Sequence, residues 1–225
     1  MITPYDWQEG IGNRAQYIEG KLKHGSPVLA VSLEAGILIY TRRRQSRKIF
    51  EVYDRLGFSA IGQQSDVEAL RSAAVEFAHQ EGYNRSEQDV TIQRVATALS
   101  GPVKKAFSDF STSPLVARSL FAEVGETIGD DLYYVLNYDG DYSLNKQSAV
   151  ACGSEEAEKD ASDALAEIAP STEAEAALSK LADIWKSAFS SADDAMDDSD
   201  LQPEAILISR SNDREDRFHI MVSDS

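Results

Sequence analysis

An α+β fold follows from the periodicities of the chain: a four-layer αββα sandwich of two antiparallel sheets, with one further helix at the N-terminus. Two observations carry this expectation. Apolar residues recur at strand spacing in three blocks, 28–61, 115–151 and 205–222, and at helical spacing in two blocks between them. Antiparallel strands with helices segregated into blocks bury both sheet faces by stacking sheet on sheet and placing a helical layer outside each.

Residues 6–23 have a helix-compatible pattern, with Thr3 placed to cap it and Pro4 suited to its first turn, although Gly10 and Gly12 weaken the early part. Residues 28–32 and 37–41 flank Glu34-Ala35-Gly36, and residues 49–53 and 57–61 flank Asp54-Arg55, which reads as two antiparallel hairpins joined by a basic loop. Val67, Leu70, Ala74, Phe77 and Ala78 then mark a buried helical face that Ser65 or Asp66 can cap. A second helix carries Ile92, Val95, Ala96, Leu99, Val103, Ala106 and Phe107 on one side, and Gly101-Pro102 predicts a kink or a break in it. Strand spacing returns over 115–124, 132–138 and 143–151, with Gly125, Gly129 and Asp139-Gly140 as turn signals, predicting a second sheet region. Ser154 caps a helix ended by Pro170, residues 171–189 form another, and residues 205–209 and 218–222 form a closing strand pair.

Composition narrows the function. The net charge of −16 opposes nucleic-acid binding, which needs a basic surface. Residues 154–200 hold 14 Asp and Glu against Lys159, Lys180 and Lys186, which reads as the solvated face of two helices and an acidic loop over 190–203. No charged-plus-apolar leader and no apolar run of membrane-spanning length is present, so a cytoplasmic chain with no membrane partner is expected. Cys152 stands alone and reads as a small core residue, and His24, His79 and His219 are too isolated to suggest a metal site. The run from Asp193 to Asp200 lacks the glycine and terminal glutamate of a calcium loop. Gly57-Phe58-Ser59-Ala60-Ile61 lacks the second glycine of a nucleophile elbow, and neither a phosphate-binding loop nor a dinucleotide fingerprint occurs. No cofactor is expected.

Four short motifs are more specific: Gly25-Ser26 before the first strand, Arg47-Lys48-Ile49 entering the third, Tyr53-Asp54-Arg55-Leu56-Gly57-Phe58 followed by Ala60-Ile61-Gly62, and Cys152-Gly153-Ser154 opening a late helix. With the leading helix, these resemble a proteasome-type α subunit of the bacterial kind, an Ntn-hydrolase fold, over nearly the whole chain. The resemblance makes residues 1–225 one domain, with a gate segment and leading helix over 1–24 and a tail over 223–225. The Ser-Pro-Asp-Gly-Arg-Leu run common at the start of archaeal and eukaryotic α subunits is missing.

The resemblance also implies what the chain does not do. Catalytic β subunits of this fold use a processed N-terminal threonine, whose amine is the base, beside an aspartate and a lysine. Here those positions fall on Ser26, which follows 25 other residues, on Arg42, and on Lys48. No catalytic residue is therefore expected. The implied role is the outer, homo-heptameric ring of a threonine-type endopeptidase complex, controlling admission of unfolded proteins to the chamber of the β subunits and docking a ring-shaped AAA ATPase. In such subunits a lysine at the place of Lys48 pairs with the C-terminal carboxylate of an activator tail. The glycine 14 residues on, here Gly62, lets that tail approach, and Gln63 stands where a leucine is common. Lys48 also reads as one cation of a solvated basic loop. Tyr5 and Asp6 resemble a gate-stabilising pair and equally the first turn of a helix, and Tyr17, eight residues before Gly25, matches a tyrosine of the leading helix. Two other functions remain open: a self-compartmentalising peptidase that exposes Ser26 by processing, and an interaction module that forms no ring.

Overall fold

Strict alternation along the first strands sorts the apolar residues into three cores. Val28 and Ala30 of β1 (Val28–Leu33), with Ile37 and Ile39 of β2 (Gly36–Arg43), face a second sheet, whereas Leu29, Val31, Leu38 and Tyr40 face helices on the other side. The structure, a computed structural model, describes residues 4–189, 200–210 and 217–221. The remaining elements are α1 (Pro4–Leu22), β3 (Ile49–Tyr53), β4 (Leu56–Gly62), α2 (Gln64–Asn84), α3 (Ile92–Ser108), β5 (Ala117–Glu123), β6 (Leu132–Leu136), β7 (Tyr142–Asn145), β8 (Ser148–Ala151), α4 (Glu155–Ala166), α5 (Ala174–Phe189), β9 (Gln202–Ser209) and β10 (Phe218–Ile220).

Two five-stranded antiparallel sheets result, ordered β10-β9-β2-β1-β8 and β3-β4-β5-β6-β7. The first lies under α4 and α5, where Leu165, Leu181 and Trp185 are buried, and the second under α2 and α3, where Leu70, Val95 and Leu99 are buried. This is the expected four-layer sandwich. The two hairpins, however, belong to different sheets, so the basic loop of residues 44–48 carries the chain from one sheet to the other.

Four local expectations are corrected. The single strand expected over 143–151 is two, β7 in the second sheet and β8 beside β1 in the first, separated at Gln147 with φ of 70°. The middle strands accordingly extend the sheet begun by β3 and β4. Of the kink or break expected at Gly101-Pro102, the break does not occur: helix α3 runs through Pro102. Gly101 explains this, because a residue without a Cβ escapes much of the clash that proline imposes on its predecessor. Neither Ser65 nor Asp66 caps α2: Gln63 is the residue ahead of the helix, and Asp66 Oδ2 instead accepts the backbone N–H of Val116 at 2.8 Å. Gln202 and Pro203, assigned to the acidic loop, pair in β9 with Arg43 and Arg42. Ser154 does cap α4, accepting the N–H of Ala157. Cys152 is buried; burial pushes its thiol up to about 11. Thr3, residues 190–199 and the tail over 223–225 lie outside the described residues.

Helix α1 closes one end of the sandwich. Ile18 and Leu22 are fully buried in the core between the sheets, and Glu19 pairs with Arg118 of β5 at 3.1 Å. Arg14 donates to the carbonyls of Phe107 at 3.2 Å and Asp109 at 2.8 Å, and to that of Thr112, tying α1 to the end of α3.

Candidate functional site

Lys48 sits where the chain enters the second sheet, and a buried carboxylate fixes it there. Glu204 of β9 accepts the backbone N–H groups of Lys48 at 2.9 Å and Ile49 at 3.2 Å and lies 3.5 Å from the Arg43 guanidinium. The half-buried Lys48 side chain turns back toward β1, donating from Nζ to the Ser26 carbonyl and to Thr41 Oγ1 at 3.3 Å. An ammonium has three donors, so this pair of bonds leaves one. Burial lowers its pKa to about 7, against the pull of Glu204, which raises it.

Two concavities meet at this lysine. The smaller, about 380 Å³, has Gly25, Ser26, Arg47, Ile61 and Gly62 on its wall, and the larger, about 750 Å³, is lined by Gln45, Ser46, Asp200 and Gln202; Arg44, Lys48 and Gln64 belong to both. Lys48 and Gly62 are thus brought together. Gln63 is not on either wall, its amide donating to Ser65 Oγ at 3.3 Å, and Gln64 occupies the wall instead. Gly62 also has a reason within the fold: its φ is 135°, and a Cβ there would stand 2.1 Å from the Val116 carbonyl oxygen.

The same end of β1 lacks the parts of an N-terminal nucleophile. Ser26 is joined through residues 23–25 to α1, so its nitrogen is a peptide nitrogen, and its hydroxyl donates to the carbonyl of Arg42. The Arg42 guanidinium lies over the Trp185 ring, 5.4 Å from its centroid. Lys48 meets the carbonyl oxygen of Ser26 and makes no hydrogen bond to its hydroxyl among the described residues. Freeing Ser26 as a terminus would remove Ile18 and Leu22 from the core, each a loss of about 1.5–3 kcal/mol in apolar burial.

The other candidates lie apart. Tyr5 and Asp6 occupy the first turn of α1, both exposed, and Tyr17 is exposed with Lys21 Nζ 5.8 Å from its ring centre. Twelve helical residues separate Tyr5 from Tyr17, about 18 Å along the axis. Glu204 and Gln64, which sequence reasoning missed, carry no local signal: a glutamate 156 positions away marks the lysine only once β2 and β9 are paired. No group of three His, Cys, Asp or Glu among the described residues could hold a metal, and no described helix is long and apolar enough to cross a membrane.

Two antiparallel sheets stacked between helical layers, with a leading helix closing one end, define an α+β sandwich class. Over residues 22–196 the chain matches the proteasome subunit family, and it belongs to that family. It is similar to the proteasome subunit alpha of Frankia casuarinae, 30% identical over 158 residues, covering 68% of this chain and 65% of that relative. Against proteasome subunit alpha of Streptosporangium roseum it is 31% identical over 145 residues, 62% of this chain and 56% of the relative. Against that of Xylanimonas cellulosilytica it is 35% identical over 130 residues, 57% and 53%. The matched part spans less than two thirds of the length of these relatives.

Proposed function

We propose that the chain is a non-catalytic α-type subunit of a bacterial proteasome core particle. Seven copies form an outer ring on a ring of β subunits, whose terminal threonines cleave unfolded proteins in the cytoplasm. Residues 1–24, with Tyr5, Asp6 and Tyr17, regulate passage through the ring. A ring-shaped AAA ATPase docks by seating its C-terminal tail in the concavity of Lys48 and Gly62, the third ammonium donor taking the terminal carboxylate and Gln63 bordering the tail.

One observation supports this reading above the others: Ser26 follows a helix whose Ile18 and Leu22 are built into the core, so the position that would carry the nucleophile is internal to the fold. The similarity to relatives named proteasome subunit alpha supports it as well. Co-expression with the β subunit of the same organism tests it. Imaging and mass photometry are expected to give stacked seven-fold rings, and a persistent monomer with and without β contradicts the reading. Lys48→Ala is expected to abolish ATPase-dependent protein degradation while leaving cleavage of short peptides intact.

A further inference from the structure

The cations around the two concavities are used unequally. Arg42 lies over Trp185 and Arg43 faces Glu204. Arg44 and Arg47 are exposed, and neither makes a hydrogen bond or ion pair among the described residues. Yet Arg44 stands on the walls of both concavities and Arg47 on that of the smaller. In a chain of net charge −16, two unengaged guanidinium groups beside a lysine form an attractive site for an anion. Among the described residues, those lining the larger concavity are all polar or charged, which suits a polar chain crossing it toward Lys48. Among the described residues Asp200 is the one acid there, set against Arg44 and Lys48.

We infer that the tail received at Lys48 carries an Asp or Glu side chain within a few residues of its C-terminus, and that Arg44 and Arg47 pair with it. This rests on the reading of the concavity as a tail-docking site. An extended chain advances about 3.3 Å per residue, so a residue lying over Arg44 is only a few positions upstream of a carboxylate held at Lys48. A guanidinium matches a carboxylate through two parallel N–H donors, which a lysine cannot do. The pairs are solvent-exposed, so each adds only a modest gain in affinity for an acidic tail.

Three labelled eight-residue peptides with free C-termini, differing only in having Glu, Gln or Lys at the third and fourth positions from the end, test this against the full chain in its purified assembly. The Glu peptide is expected to bind about fivefold tighter than the Gln peptide at low salt and the Lys peptide weakest, with the differences closing at high salt. Arg44→Gln with Arg47→Gln, both at exposed positions, is expected to erase the Glu-over-Gln preference while preserving binding of the Gln peptide. Equal binding of the Glu and Gln peptides, each lost on C-terminal amidation, overturns the inference and leaves the docking reading standing. A preference that survives the double substitution also overturns it. Binding insensitive to amidation and to Lys48→Met, or no binding at all, removes the docking reading and the inference together. A preference that emerges only when Asp193, Asp194, Asp197 and Asp198 are changed to Asn would assign the arginines to the chain's own acidic segment, against the inference.

Discussion

The docking role proposed for Lys48 predicts a pH-dependent affinity. Its ammonium is held by the Ser26 carbonyl and Thr41 Oγ1 and is depressed by burial to about 7. A tail carboxylate is recognised only by the charged form, whereas the carboxylate stays ionised throughout the range concerned. The sign is therefore fixed: affinity is full below pH 7 and falls as pH rises through it. The competent fraction drops from about nine tenths at pH 6 to about one tenth at pH 8, so Kd should rise about tenfold over that span, with uptake of a proton on binding near pH 7. Fluorescence anisotropy with a free-carboxylate peptide measures this. His24 lies on the same wall, so His24→Gln is made in both arms. Lys48→Arg keeps its charge at every pH used and should flatten the profile. A flat profile with Lys48 present, or an unchanged tenfold fall with arginine in its place, would refute the reasoning.

Three further outcomes follow from the packing. Leu22→Ala, at a fully buried position of the inter-sheet core, should cost about 2–5 kcal/mol in chemical denaturation. Asp131 is wholly buried and holds Arg210 through two bonds of 2.7 and 2.9 Å; Asp131→Ala should cost about 3–5 kcal/mol, measured the same way, because it leaves the guanidinium without its counter-charge and the Gly125 N–H without its acceptor. Arg14→Ala releases the carbonyls of Phe107, Asp109 and Thr112, so hydrogen exchange should accelerate at the end of α3 and in α1 while the strands stay protected.

Much of the layer order was legible because strand and helix periods are local properties. Alternation along β1 and β2 already separates the inner Val28, Ala30, Ile37 and Ile39 from the outer Leu29, Val31, Leu38 and Tyr40. Which sheet a strand joins is not local. Residues 143–151 read as one strand, yet the turn at Gln147 sends its halves to opposite sheets. Helix α3 looked interrupted because Pro102 deletes a hydrogen bond, and the lack of a Cβ at Gly101 eases its continuation. At the candidate site, Lys48 and Gly62 could be named only from the family resemblance. Their supports could not: Glu204 arrives from the far end of the chain, and Gln64 comes to the wall because α2 begins one residue after Gln63. The unused bond capacity of Lys48 became visible only with Ser26 and Thr41 in place.

The central claim, that this family member fills a non-catalytic position, meets its most direct test in the intact mass of each subunit of the co-expressed particle. The particle is first treated with an electrophile that captures N-terminal nucleophiles. This chain is expected to keep the residues ahead of Ser26, near its full 24.7 kDa, and to carry no label, while the β subunit is shortened and labelled. Loss of the first 25 residues with label on a terminal Ser26 would contradict it.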